Sequence, residues 1–265
     1  MRERVGIVGV GAMGKALLKG LLTVVEKERL LVADKAPEKL EELKADYQVE
    51  VQDVSSLVQA AQVIFLAVKP QDLIALLKDI ALNITAPKTI VSVAAGISIA
   101  KIENELPDNV GVIRVMPNTP CLINEGVMAV SAGSFVSADR LQLIVSWLQN
   151  LGVVRVVPEE LLDAVTGLSG SGPAYVYLLI EALADGGVLA GLPRELALEF
   201  AVQTVLGAAK MVQETDQHPA ILREMVTSPG GTTAAGLLQL EQGAFRSLLQ
   251  KAVAAAAKRA KELDG

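Results

Sequence analysis

Residues 5–14 read Val-Gly-Ile-Val-Gly-Val-Gly-Ala-Met-Gly, a short β-branched run closed by glycines at 9, 11 and 14. A strand that turns this sharply into a helix is the opening of a βαβ unit. Gly9 permits the turn, Gly11 lets the backbone approach a phosphate, and Gly14 lets helix and strand pack closely. The helix start then offers N–H groups and positive potential to a pyrophosphate. Such a turn also occurs without a ligand, so its surroundings decide its meaning. A second apolar run, Leu30–Ala33, ends on Asp34, an acid about twenty residues further on. Gly9, Val10, Gly11, Ala12, Met13 and Gly14 therefore read as a dinucleotide cradle. Asp34 is suited to ribose hydroxyls and would repel a 2′-phosphate, whereas Lys35 would pair with one, so NADH and NADPH both remain open.

The first 157 residues continue the pattern. Apolar runs at Val5–Val8, Leu30–Ala33, Val63–Val68, Thr89–Val93, Val112–Val115, Val127–Val130 and Val153–Val157 alternate with helical stretches such as Met13–Val25, Glu38–Ala45, Leu73–Ile80 and Ala138–Leu151. The first five are continuously apolar, as in strands covered on both faces of a parallel sheet. After Pro158 the strand signal stops. Ala- and Leu-rich helical segments follow at Pro173–Ala190, Arg194–Gln213, Ala220–Val226, Thr232–Glu241 and Phe245–Leu263, separated by Gly- and Pro-containing turns. The expected fold is α/β: an N-terminal Rossmann-type doubly wound sheet over 1–158, then an all-α domain over 159–265. Helices this apolar in so small a segment predict burial against a second subunit.

Composition narrows the partners. The net charge is −6 with no long basic run, which argues against nucleic acid. The one cysteine, Cys121, excludes an intrachain disulfide and a multi-cysteine zinc site, so no metal is expected. Met1-Arg2-Glu3-Arg4 before an apolar stretch resembles a leader, but Lys15 and Lys19 interrupt it. No run of 18 apolar residues marks a membrane span. A cytoplasmic enzyme is expected.

Three more strand ends carry candidates, since open α/β sheets bind ligands beyond the carboxyl ends of their strands. Ala67-Val68-Lys69-Pro70 places Lys69 near ribose or phosphates. Ala94-Ala95-Gly96 leaves room for a flat ring at Ala95 and Gly96. Met116-Pro117-Asn118-Thr119-Pro120 holds Asn118 rigidly as a polar contact. Each also reads as a plain strand-to-helix turn. In the helical half, Leu168–Tyr175 and Thr227–Thr233 combine Gly, Ser and Thr before helices, offering amides and hydroxyls suited to a carboxylate, or simply N-caps.

The stretch from Pro219 to Glu241, with Ser228-Pro229-Gly230-Gly231-Thr232-Thr233 at its centre, resembles the signature of the pyrroline-5-carboxylate reductase family. Ala67–Pro70, Met116–Pro120 and Gly167–Tyr175 are similar to its other motifs in order, so the resemblance spans essentially the whole chain. It implies hydride transfer from NADPH or NADH to the imine carbon of 1-pyrroline-5-carboxylate, C5 of the resulting L-proline. It also implies pairing through the helical domain, an active site shared across the pair, and larger rings of dimers. By the same resemblance, Thr233 hydrogen-bonds the ring nitrogen as the catalytic group. The amides of Gly231, Thr232 and Thr233, with the Ser228 hydroxyl and the Gly230 turn, hold the carboxylate. Glu159 borders the pocket and favours a cationic ring, although Glu159-Glu160 reads equally as an acidic helix start.

The residues suit imine reduction independently. An imine is protonated more readily than a ketone, so a hydroxyl or relayed water suffices and positioning does much of the rest. The one histidine, His218, precedes Pro219 and reads as a cap; Cys121 has no basic neighbour to activate it. A β-hydroxyacid dehydrogenase would want a helix lysine with Asn four residues on, but Lys210 is followed by Glu214 at that spacing. A dinucleotide sensor without catalysis would leave Ser228–Thr233 without a purpose.

Overall fold

A computed structural model describes residues 3–84 and 87–263; Met1 and Arg2, part of the leader-like start, lie outside them. Eight strands form one sheet in the order β3-β2-β1-β4-β5-β6-β7-β8. They are β1 (Val5–Val8), β2 (Leu30–Ala33), β3 (Glu50–Val51), β4 (Val63–Leu66), β5 (Thr89–Ser92), β6 (Gly111–Met116), β7 (Gly126–Ala132) and β8 (Gly152–Val156). From β1 the chain winds outward through β2 and β3, then returns to lay β4 on the other side of β1. That reversal is the switch point of a doubly wound sheet.

The helices of this unit are α1 (Ala12–Leu21), α2 (Pro37–Tyr47), α3 (Val54–Ala60), α4 (Pro70–Ala81), α5 (Ile99–Glu103), α6 (Ala138–Leu148) and α7 (Leu162–Val165). β1, β2, β4 and β5 are buried throughout, because helices cover both faces of the sheet. Strand alternation sorts β4 between two cores. Phe65 packs with Leu17, Val32 and Trp147, while Ile64 and Leu66 pack with Leu57, Leu73 and Leu77. Pro37 and Pro70 occupy first-turn positions, where their missing amide costs nothing, and Asp53 caps α3 by accepting from the Ser56 amide at 2.9 Å.

The sheet departs from the sequence reading in two ways. β3, α3 and α5 are too short to leave a strong periodic signal. And β7 runs antiparallel to β6, with Val115 opposite Val130. A parallel crossover needs a dozen or more residues, and the link from Met116 to Gly126 is shorter than that. β8 then returns parallel to β7 after α6.

Packing divides the chain into one unit of Met1–Ser171 with Ala255–Gly265, and a second of Gly172–Ala254. The sheet unit reaches past 158 because buried β6 and the loop after it hold the next segment. Arg114 pairs with Glu159 at 3.0 Å and with Asp163 at 3.7 Å, and Asn118 donates to the Ser169 carbonyl at 3.1 Å. A π-helical turn, Thr166–Gly170, closes that segment.

The second unit contains α8 (Gly172–Leu189), α9 (Arg194–Thr215), α10 (Pro219–Met225), α11 (Thr232–Gln242) and the start of α12 (Phe245–Leu263). Gly187 brings α8 close to α9, since a Cβ there would lie 3.1 Å from that of Ala197. Ala184, Ala197 and Ala201 are buried, but Tyr177, Leu178, Leu189, Met225 and Val226 are exposed. So much uncovered apolar surface on one small helical unit is what an association surface exposes.

Candidate active site

The glycine turn has the geometry of a phosphate cradle. Gly9 takes φ +91°, and a Cβ there would lie 2.6 Å from the Ala67 carbonyl oxygen. A Cβ on Gly14 would collide with the Gly9 carbonyl oxygen, so both positions need glycine for the backbone alone. Gly11 differs: nothing lies within 4 Å of where its Cβ would be. Its glycine leaves open space at the α1 N-terminus, and no side chain caps that helix. Open space beside uncapped amides fits a dinucleotide pyrophosphate. Val10, Ala12 and Met13 complete the turn.

Asp34 directly follows β2. Its Oδ2 accepts from the Val10 amide at 2.7 Å and its Oδ1 from the Ala36 amide at 2.9 Å, which fixes the carboxylate against the turn. Lys35 pairs with Asp72 at 3.1 Å. Ala67 continues the pairing from β4, its amide donating to the Val8 carbonyl at 2.8 Å, and Val68 follows it. Lys69 is an exposed N-cap without a capping bond, ahead of Pro70.

The remaining predicted residues of this unit do more internal work than the sequence implied. Ala95 is half-buried, but Gly96 (φ +69°) is covered by the end of α12, and a Cβ there would stand 2.7 Å from that of Leu263. Asn118 is buried and spends its amide within the unit: Oδ1 accepts from the Val127 amide at 2.9 Å and Nδ2 donates to Ser169. Glu159 Oε1 accepts from the Ile99 amide at 2.7 Å and from Arg114 Nη1 at 3.0 Å. Its charge is engaged inside the sheet unit. Arg114, a lone cation in an apolar run, and Asp72, in the first turn of α4, are the partners that sequence reasoning missed. The interruption of Val112–Val115 was the visible signal for Arg114.

In the second unit, Ser228–Thr233 forms a turn with Gly230 at φ +69°. The Gly231 amide donates to the Ser228 carbonyl at 3.0 Å, so it is spent within the turn and leaves Thr232 and Thr233 as amide donors. Gly231 is the N-cap of α11, with no side-chain cap; Ser228 and Thr232 are exposed and Thr233 is half-buried. An uncapped helix end flanked by hydroxyls suits an anion such as a carboxylate.

Other groups stay outside this chemistry. His218 Nδ1 accepts from the Ala220 amide at 3.2 Å as the cap of α10. Burial pushes the Cys121 thiol up, away from the thiolate. Among the described residues no His, Cys, Asp or Glu cluster is arranged to hold a metal, and no helix is long and apolar enough to cross a membrane. An open concavity of about 520 Å³ lies beside Glu3 and Arg140. Glu3 precedes β1, so that concavity adjoins the amino end of β1, opposite the glycine turn at its carboxyl end.

Fold and turn together define a Rossmann-type dinucleotide-binding protein with a helical C-terminal unit. Residues 159–263 match the family model for pyrroline-5-carboxylate reductase dimerisation, and residues 4–96 match that for coenzyme F420-dependent NADP oxidoreductases. A pyrroline-5-carboxylate reductase of Synechocystis is 44% identical over 99% of both chains. The NADP-bound pyrroline carboxylate reductase of Plasmodium falciparum superposes with a TM-score of 0.91 at 32% identity, covering 100% of this chain and 99% of that one. The enzyme of Coxiella burnetii gives 0.90 at 35% identity, covering 100% of both. The chain belongs to the pyrroline-5-carboxylate reductase family.

Proposed function

We infer that this chain reduces 1-pyrroline-5-carboxylate to L-proline with NADPH or NADH, the last step of proline biosynthesis. The observation that carries the substrate is the Ser228–Thr233 turn on the uncapped start of α11. In this reading 1–158 serves the dinucleotide and 159–265 the substrate and dimerisation. The imine's carboxylate is held by the Thr232 and Thr233 amides with the Ser228 hydroxyl, and Gly230 gives the turn its shape.

A bound nicotinamide dinucleotide would supply the hydride; Gly9–Gly14, Asp34, Lys35 and the Ala67–Pro70 turn would hold it, with half-buried Ala95 as a further contact. The Thr233 hydroxyl donates to the ring nitrogen and orients the C=N bond. As the imine carbon accepts the hydride, the C=N electron pair moves onto nitrogen, whose proton comes through that hydroxyl or a relayed water. The carboxylate anchor fixes which face of the ring is presented.

The same reading includes a cytoplasmic homodimer paired through the helical domain, with dimers assembling into rings. The exposed Tyr177, Leu178 and Leu189 support association, and the one cysteine, buried and free, suits a reducing compartment.

The test is dinucleotide oxidation with 1-pyrroline-5-carboxylate, run with each cofactor on the parent and on Thr233→Ala. Turnover by the parent is expected, with kcat reduced about tenfold to a hundredfold in the variant, below the range for a full general acid because imines protonate readily. No turnover with either cofactor would overturn the reading. Unimpaired Thr233→Ala would remove the role given to that hydroxyl.

A further inference from the structure

Lys35 follows β2, and Asp72 lies in the first turn of α4, which follows β4. In the sheet β1 lies between those two strands and parallel to both, so its glycine turn is at the same carboxyl end. The ion pair from Lys35 Nζ to Asp72 Oδ2, 3.1 Å long, therefore reaches across the switch point where such sheets take the adenosine end of a dinucleotide. Lys35 is also the neighbour of Asp34, whose carboxylate is bound to the Val10 amide. It is thus a cation directly after the acid of the ribose site, and it faces a carboxylate there.

We propose that Asp72 is a specificity-determining residue for the dinucleotide: by holding Lys35 it makes the site favour NADH over NADPH. This rests on the reading of the glycine turn given above. A 2′-phosphate brings about 1.5 to 2 negative charges. To meet it, Lys35 has to leave Asp72, and the phosphate then lies among the carboxylates of residues 34 and 72. Asp34 offers no relief, because two backbone amides fix it in place. Lys35 is the adjustable member, long and with a side chain 85% exposed. Exposure also sets the size of the effect. With Asp72 itself 43% exposed, solvent screens the pair, so selectivity is tuned severalfold and not by orders of magnitude.

The experiment measures NADH and NADPH dissociation constants directly, by fluorescence of the reduced nicotinamide, on the full chain and on Asp72→Asn, Lys35→Ala and the double variant. Direct binding separates this proposal from the reductase assay. The parent is expected to bind NADH more tightly than NADPH. Asp72→Asn is expected to tighten NADPH about three- to fivefold, the scale of an exposed ion pair, with NADH changed less than about twofold. The gain should be absent when Lys35→Ala is also present, and the parent's preference should narrow as salt rises. A parent preferring NADPH, or an unchanged ratio in Asp72→Asn, would overturn the proposal. So would an equal gain without Lys35, since Asp72 would then act by direct repulsion. A parent that binds neither dinucleotide would sink the reading of the turn itself, and this proposal with it.

Discussion

Removing Glu159 separates two accounts of that residue. In the resemblance-based account it borders the substrate pocket and favours a cationic ring. In the structure its Oε1 joins the Ile99 amide, at the start of α5, to Arg114 on β6. Truncation to alanine takes away a hydrogen bond to a charged acceptor, about 1.5–3 kcal/mol, and the nearer partner of an arginine whose side chain is only 7% exposed. Stranding a buried charge costs about 3–5 kcal/mol. Asp163 stands 3.7 Å from the other guanidinium nitrogen, however, and can take over part of the charge. Glu159 is itself 31% exposed, so water reaches the site. A net loss of about 2–3 kcal/mol follows, or about 5–10 °C in Tm for a chain of this size. Glu159→Gln keeps an oxygen for both donors and should cost about 1 kcal/mol. Thermal and urea unfolding measure the loss, and kcat and KM for the imine measure the alternative. Unchanged stability in Glu159→Ala, together with a fall in kcat in Glu159→Gln, would refute the strut account and return Glu159 to the pocket.

The glycine turn and the N-terminal ion pair give two further predictions. Gly11→Ala should leave stability within about 1 kcal/mol of the parent, because its Cβ meets nothing, yet weaken both dinucleotides at least about tenfold by filling the approach to the pyrophosphate. Gly14→Ala should lose about 1–3 kcal/mol as well as binding, since its Cβ strikes the Gly9 backbone; normal binding by Gly11→Ala would contradict this account of the turn. The Glu3 carboxyl is held below its ordinary 4.5, chiefly by its hydrogen bonds to Arg140, against the opposing pull of burial and with help from the Arg140 charge. A lowered folded-state value means stability that is present above 4.5 and lost as pH falls through the lower value. Unfolding of Glu3→Gln and parent should therefore differ at neutral pH and converge in acid; a gap that persists in acid would count against the pair.

The parts of this molecule legible in its sequence are those that repeat a pattern or meet a steric demand. Continuous apolar runs marked β1, β2, β4 and β5, because burial on both faces leaves no place for polar alternation. Gly9 and Gly14 were legible because their backbone neighbours exclude any side chain. What was not legible depends on long-range pairing. The antiparallel direction of β7 is a pairing with β6 that the apolar runs alone do not orient. Gly96 read as space for a ring, yet Leu263, far away in sequence, covers it. Asn118 read as a ligand contact, yet its amide joins Val127 to Ser169. A small or polar residue at a strand end thus has two explanations, a ligand or another part of the chain, and the local sequence is the same for both. Gly11 differs from Gly96 in this respect: open space lies beside its backbone, and a packed helix lies beside that of Gly96. The same distinction applies to charge. Asp34 and Glu159 both looked like acids aimed at a ligand, and both accept backbone amides. Asp34 accepts from Val10 inside the glycine turn, so its hydrogen bond shapes the cradle. Glu159 accepts from Ile99 beyond the Gly96 turn, so its hydrogen bond braces the segment that follows that turn.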